Sequence, residues 1–280
     1  MVAVPIVACA AALAGIRSHG PSALDVGLLV AFYALTMLGL TAGFHRLFTH
    51  RSFRAHPLVE LALAVAGSMA LEGPIVRWVA QHRRHHAHAD RDGDPHSPVA
   101  GGGSRLAGLW HAHVGWMLGG PRTFARRFAP DLLEDALVRR LDALYLVWVA
   151  ASLGLPAAIG ALATGSAAGA GSALLWGGLV RIFCVHQASW AVNSIGHALG
   201  RRPFAARDHS TNNALLALFT LGEGWHNNHH AFPSSARHGL ERWQLDPTAF
   251  VIAGLCRLGL AWDVKTPTPA ALAAKTRRGP

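Results

Sequence analysis

The sequence VGLLVAFYALTMLGLTAGF at 26–44 runs directly into HRLFTH at 45–50. The first stretch carries no charged residue and has about the 20-residue length that an α-helix needs to cross a bilayer core. The second stretch begins and ends with histidine. This junction predicts a membrane-spanning helix that delivers His45 and His50 just beyond its end.

Three further apolar runs lie at 2–16, 141–163 and 173–195, so the sequence predicts about four spanning helices. A fifth run at 58–76 is interrupted by two glutamates and a Gly-Pro pair, and we expect it to be interfacial or re-entrant. Hydrophobic residues form 51% of the chain, which points away from a soluble protein. The predicted fold class is an all-α integral membrane protein.

The formal charge of +10 does not indicate nucleic-acid binding, because the basic residues lie in blocks between apolar runs. These blocks lie at 45–56, 77–140 and 200–278, whereas the connection at 164–172 carries no lysine or arginine. By the positive-inside rule, the three basic blocks and both termini share the cytoplasmic face. The chain is expected to be a multi-pass protein of the cytoplasmic membrane.

Cysteine and histidine usage point to different conclusions. Cys9, Cys184 and Cys256 are odd in number and widely spaced, so they indicate neither a disulfide framework nor a zinc site, and a reducing compartment fits. The 18 histidines are unusual, because histidine is costly inside a bilayer and titrates near neutral pH. Metal ligation is the expected reason for keeping them.

Eight histidines form three clusters, all on the same predicted side of the membrane. Spacings of three and four residues place the histidines of the second and third clusters on one helical face. One cluster alone could be a polar loop beside a membrane, but three favour a metal site. Eight ligands exceed the needs of one zinc ion and favour two metals, although imidazole does not name the metal. The clusters are HRLFTH (His45, His50), HRRHH (His82, His85, His86) and HNNHH (His226, His229, His230).

The order of HRLFTH, HRRHH, NSIGH and GEGWHNNHHAFP resembles the membrane acyl desaturases of the stearoyl-CoA desaturase type, over 41–263. The resemblance implies an O₂-dependent enzyme that introduces a cis double bond into a saturated acyl chain. The expected substrate is an acyl-CoA, with the double bond at position 9. It also implies two iron ions, a ninth ligand at His197, and Asn193 holding a metal-bound water.

The resemblance further implies one membrane-embedded domain over 1–276, with a cytoplasmic helical cap mainly at 45–140 and 196–264. We expect a disordered tail at 265–280. No haem-binding domain follows the tail, so the expected electron donor is a separate protein of ferredoxin, rubredoxin or cytochrome type.

Selective attack on one carbon pair requires a narrow apolar channel, because aliphatic C–H bonds along a chain are nearly alike. Acids near the ligands should orient the imidazoles, and their pairing stays open: Asp90, Asp94, Asp208 and Glu223. Arg122, Arg126 and Arg127 are the candidate contacts to the substrate phosphates, although such arginines also bind anionic lipid. The candidate channel residues are Tyr33, Met37, Trp78, Ser189 and Trp190, with Tyr33 and Met37 at the far end.

Two alternatives stay open. A membrane hydroxylase of alkyl or acyl chains could use the same histidines and leave oxygen in its product. A histidine-rich metal transporter is less favoured, because its ligands should lie near the membrane midplane rather than beyond the helix ends.

Overall fold

The structure is a computed structural model that describes residues 2–16, 20–99, 103–120 and 122–277. Its regular structure is mainly helical, with one short antiparallel strand pair. The first half contains α1 (Ala3–Gly15), α2 (Ala23–Leu38), a π-helical run (Gly39–Thr49), β1 (Arg54–Ala55), α3 (Pro57–Ser68), α4 (Ile75–His88), α5 (Arg105–Trp110), a second π-helical run (His111–Gly115), α6 (Trp116–Gly119), α7 (Ala125–Phe128), α8 (Pro130–Glu134) and α9 (Ala136–Ala143). The second half contains α10 (Tyr145–Thr164), α11 (Ala167–Ala173), a third π-helical run (Leu174–Val180), α12 (Arg181–Ser194), a 3₁₀ turn (Ile195–His197), α13 (Ala214–Phe219), α14 (His226–Ala231), α15 (Pro247–Arg257), β2 (Ala261–Trp262) and α16 (Pro269–Lys275).

Three continuous helical runs in the described residues are long and apolar enough to cross a membrane. They are Ala23–Thr49, Tyr145–Thr164 and Ala167–His197. Each overlaps one of the predicted apolar runs, so three of the four predicted spans are confirmed by length and composition. The third is longer than expected, because α11 continues through the π-helical run, α12 and the 3₁₀ turn without a break.

The fourth predicted span, at 2–16, is not confirmed. Helix α1 has 13 residues, which give a length of about 20 Å. A bilayer core is about 30 Å thick, so the helical part of this run is shorter than a full span.

The helix that leads to the first histidine cluster changes its winding before it ends. Ser22 and Asp25 form a capping box that starts α2. From Gly39 the backbone becomes π-helical, and at this point a Cβ atom would lie 2.1 Å from the backbone nitrogen of Gly67 in α3. His45 therefore lies inside the helical run and only His50 lies at its end, rather than both lying beyond it.

The interrupted run at 58–76 is not among the three helical runs that are long and apolar enough to cross a membrane. Helix α3 ends at Ser68, and the chain reverses before α4 begins at Ile75. Leu71 and Gly73 take the left-handed backbone conformation in this turn, with φ of 61° and 109°. The reversal sends α4 and its histidines back toward the first cluster.

A buried cation holds this reversal in place. Arg181 of α12 is fully buried and donates to the carbonyl of Met69 at 3.1 Å and to Oγ of Ser152 at 2.7 Å. Nε2 of His186 lies 3.0 Å from the carbonyl oxygen of Ala70. Because a buried guanidinium is costly without acceptors, these contacts fix the turn against α10 and α12.

The expected disordered tail is also corrected. Residues Pro269–Lys275 form α16, and the backbone of Ala205 donates to the carbonyl of Lys275 at 2.7 Å. Leu272 packs against Phe204 and its neighbours in a small apolar cluster. The Pro, Thr and Lys composition suggested disorder, but apolar burial and backbone pairing order the segment at least to residue 277.

Candidate metal centre

The nine histidines expected to bind metal converge in two groups. Within each group the imidazole nitrogens that could act as ligands all lie within 4.8 Å of one another. The residues come from the first π-helical run, α4, the 3₁₀ turn and α14. The first group is His45, His50, His82, His86 and His229, and the second is His85, His197, His226 and His230.

The two groups do not follow the three sequence clusters. Helix α4 contributes His82 and His86 to the first group but His85 to the second. Helix α14 likewise gives His229 to the first group and its other two histidines to the second. Residues one apart on a helix point in different directions, so the second and third clusters each supply both groups, whereas the first cluster supplies only the first group. Helices α4 and α14 therefore join the two groups into one centre.

Four of the nine imidazoles are oriented by buried carboxylates. The Nδ1 atoms of His45 and His230 lie 2.6 Å and 2.7 Å from Glu223 and Asp208. Nδ1 of His85 lies 3.0 Å from Asp94, and Nδ1 of His197 lies 2.7 Å from Asp90. An ionised carboxylate can only accept, so Nδ1 donates and the Nε2 lone pair is left for a metal. The four acids that the sequence left unassigned are thus paired.

Electrostatics favour the charged form of Asp90 and Asp94. Burial alone would raise the pKa of Asp94, but the charge and hydrogen bond of His85 hold it below its usual range. The pKa of Asp90 is also held low despite burial, through His197 and the backbone of His209. These directions fit a shell of anions that accept hydrogen bonds from ligating imidazoles.

Six of the nine imidazoles favour the neutral form, which is the form that binds a metal. Burial, with repulsion from neighbouring histidines, holds their pKa well below its ordinary value. This applies to His50, His82, His86, His226, His229 and His230.

The spacing of the Nε2 atoms fits a pair of metal cations. Nε2 of His229 lies 3.1 Å from that of His45 and 2.9 Å from that of His86. In the second group, Nε2 of His197 lies 3.0 Å from that of His226. Because the carboxylates force the lone pairs of His45 and His197 inward, cations between the rings would relieve the repulsion. The histidine clusters are therefore able to bind metal.

A buried ionic network under the first group was missed by the sequence analysis. Arg46 is fully buried, and its Nη2 lies 3.0 Å from both Glu223 and Asp246. His238 adds a buried imidazole whose Nδ1 is 3.2 Å from Glu223. An arginine beside His45 at the end of an apolar run was the available signal, because such a cation needs a partner.

Two connected cavities lie beside the metal centre, and together we call them the channel. They share Trp78, His82, Ser189 and Asn193. The larger has a volume of about 250 Å³, and the smaller has about 50 Å³ and extends to Met37. Asn193 thus lies at the junction of the channel and the histidines.

The structure separates Tyr33 from the other four candidate channel residues. Met37, Trp78, Ser189 and Trp190 all line the channel. Tyr33 instead lines a different, open apolar groove, and its hydroxyl donates to the carbonyl of Phe219 at 2.7 Å. Four residues turn an α-helix slightly more than once, so Tyr33 and Met37 share a side of α2 without facing the same space.

The candidate head-group residues are not found at the channel. Arg122, Arg126 and Arg127 are exposed and do not line either cavity. The larger cavity is lined instead by Arg77, which the sequence analysis did not select, one turn before Gln81 on α4. Glu72 and Trp116, which also line this cavity, were likewise missed, because nothing in the local pattern distinguishes them from turn and interface residues.

Comparison with known proteins agrees with this site. A family profile described as "Fatty acid desaturase" matches residues 22–262. A hex-5-enoyl-[acyl-carrier protein] acetylenase of Moorena producens is 42% identical over 277 residues, covering 97% of this chain and 86% of the relative. An sn-1 stearoyl-lipid 9-desaturase of Anabaena variabilis is 40% identical, covering 86% and 84%. An icosanoyl-CoA 5-desaturase of Limnanthes douglasii is 38% identical, covering 88% and 66%. The chain belongs to the fatty acid desaturase family.

Proposed function

We propose that this protein is an O₂-dependent acyl desaturase that introduces a cis double bond into a saturated chain. The single observation that carries the proposal is the pair of histidine groups placed directly against a channel. An unactivated methylene offers neither an acidic proton nor a leaving group, so acid–base and nucleophilic side chains alone cannot open it. A redox metal centre beside the substrate can.

The nine histidines would hold two irons, with four Nδ1 atoms fixed by Glu223, Asp90, Asp94 and Asp208. The chemistry that the irons supply when bound is activation of O₂ for cleavage of two C–H bonds. Asn193 would hold a water at the junction of the channel and the metal centre. Metal analysis should find close to two irons per chain, and one zinc without iron after anaerobic reconstitution would contradict the proposal.

The channel would select which carbon pair reacts. Trp78 and Trp190 provide flat apolar walls, and Met37 lies at the end of the smaller cavity. A chain held by these walls presents one methylene pair to the histidine groups, and orientation rather than bond strength decides the position.

We propose an acyl-CoA substrate and a double bond at position 9. Position 9 is supported by the 9-desaturase among the relatives, and the CoA carrier by the icosanoyl-CoA desaturase. An acyl-lipid or acyl-carrier-protein substrate is the alternative, since other relatives carry those names. Purified enzyme supplied separately with the three substrate forms and a reductant would rank them by kcat/KM.

The decisive experiment is expression in cells that lack their own desaturase, with mass spectrometry that locates the double bond. A new cis alkene without added oxygen supports desaturation. A hydroxylated chain would favour the membrane hydroxylase alternative, and no lipid product with altered metal uptake would favour a transporter.

The orientation is proposed from charge. Lys and Arg concentrate on the histidine side of the helices, and Val2 lines the larger cavity beside His82, so the histidine side and both termini would face the cytoplasm with the run at 2–16 as a fourth span. Single cysteines introduced at Arg242 and at Gly165 should lie on opposite sides of sealed vesicles. A membrane-impermeant reagent should therefore label only one of the two.

A further inference from the structure

A second opening reaches the histidines, and it differs from the channel. It is a depression of about 930 Å³ whose lining includes His50, His86 and His230. The channel reaches His45, His82 and His226 instead. The metal centre is therefore approached through two separate spaces by different ligands.

The rim of this depression is basic. Arg83, Arg91, Arg207 and Lys275 line it, together with one acid, Asp208. Asp208 is buried and engaged by His230 at 2.7 Å, so its charge serves the metal centre rather than the rim.

Three of the four rim cations have no acidic partner among the described residues, although Nζ of Lys275 donates to the carbonyl of Ala231. Arg83 is paired with Asp131 at 2.6 Å. Arg91, Arg207 and Lys275 are exposed, and no ion pair joins any of them to an acid among the described residues. The rim therefore presents a positive field around an opening that leads to metal ligands.

The same depression is unsuited to an acyl chain. Apart from these cations and histidines, its lining is mainly small side chains, and it has no large apolar wall like Trp78 or Trp190 of the channel. Small residues let a partner surface approach the backbone closely. The space is thus suited to contact with a polar protein surface.

We propose that this basic depression is the docking site of a small acidic electron-carrier protein. The inference rests on the proposed function, because desaturation needs electrons from outside. Conversion of CH₂–CH₂ to CH=CH consumes one O₂, two electrons and two protons, and forms two waters. The reduced carrier supplies the electrons one at a time and dissociates in its oxidised form. Electron transfer of this kind requires the carrier to approach the metal centre closely.

Docking here keeps the electron carrier apart from the substrate. His50, His86 and His230 give it a short route to the metal centre, while the acyl chain occupies the channel. Complementary charge should raise the association rate and make it fall with ionic strength.

The test uses the full chain in neutral-lipid nanodiscs and a plant-type [2Fe–2S] ferredoxin as the acidic probe, with affinity measured against salt without turnover. Arg91→Glu and Arg207→Glu should each weaken binding about tenfold, and the double variant more, with a shallower salt dependence. The matched control is Arg242→Glu, at an exposed arginine that does not line the depression, and it should bind like the wild type.

Equal loss in the control, or no loss in the double variant, would overturn the docking site. Two other outcomes would also overturn it: loss of acyl-carrier-protein binding with ferredoxin binding intact, or loss only of binding to anionic vesicles. Product formation driven by dithionite is measured in parallel. If no alkene forms with any reductant, the proposed function fails, whereas the binding result still decides the docking site.

Discussion

The two spaces beside the histidines differ in what surrounds them. The channel is narrow and lined by Met37, Trp78 and Trp190, whereas the depression is wide and rimmed by Arg91 and Arg207. Apolar walls exclude water and hold a hydrocarbon chain, and a positive rim attracts an anionic surface. In the proposed enzyme, this difference separates substrate binding from electron delivery at one metal centre.

The largest expected effect comes from removing a ligand between the two spaces. His86→Ala or His229→Ala should abolish turnover and lower the iron content, because each ring contributes a neutral nitrogen to the first group. The helices should still insert, since their backbone bonds are internal. Elemental analysis and product yield are the measurements.

The control is His88→Ala, on the same helix but outside both histidine groups. It should keep metal and activity. Near-normal activity in either ligand variant would show that the assignment of the metal ligands is wrong.

A smaller effect is expected at a carboxylate that orients one ring. Asp208→Asn removes the charge that holds Nδ1 of His230 and should weaken metal affinity about 10- to 100-fold. Competition with a chelator measures this affinity directly. If affinity is unchanged while ferredoxin binding falls, Asp208 would belong to the docking surface, and the division between metal centre and rim would have to be redrawn.

A moderate effect is expected at the end of the channel. Met37→Ala should open space and shift preference toward longer acyl chains without moving the double bond. Tyr33→Ala was predicted from sequence to act in the same way, but its position in the open groove leads us to expect a weaker shift. A competition assay with saturated substrates of increasing length compares them. An unchanged profile for Met37→Ala would place the channel end elsewhere.

The smallest effect concerns Glu72 beside the larger cavity. Burial raises the pKa of Glu72 to about 7, although hydrogen bonds with Trp78 and Ser189 act to lower it. The folded protein therefore holds a proton that the unfolded chain releases near pH 4.5. The contribution of Glu72 to the free energy of unfolding is complete below about pH 4.5, falls as the pH rises, and is lost above about pH 7.

Glu72→Gln should remove this part of the pH dependence. The measurement is thermal unfolding of both proteins in detergent from pH 5 to 8, read as the difference in Tm between them. A difference that does not vary with pH would mean that Glu72 is ionised throughout.

Local sequence was sufficient for features that depend on neighbouring residues. The apolar runs predicted four spans, of which three are confirmed, and the spacing of His82, His85 and His86 predicted the helix that carries them. Local sequence was insufficient where contacts between distant segments decide, as in the ordered α16. Composition describes a segment, whereas packing partners decide whether it folds.

By itself, the sequence determined the membrane-embedded helical character and the eight clustered histidines, and its resemblance to known desaturases added the family and the ninth histidine, His197. Helical period and apolar length are local, so spacing alone carries the helices and the clusters. Only the tertiary structure decided which histidine enters which group, and which acid orients it. His197 and Asp90, for example, are 107 positions apart yet lie 2.7 Å from each other.

The tertiary structure also decided that Tyr33 and Met37 face different spaces, and that Arg91 and Arg207 share one rim. These features depend on how separate helices and loops pack against one another. Side-chain burial and charge pairing between distant segments set that packing, and neither is encoded in the spacing of neighbouring residues.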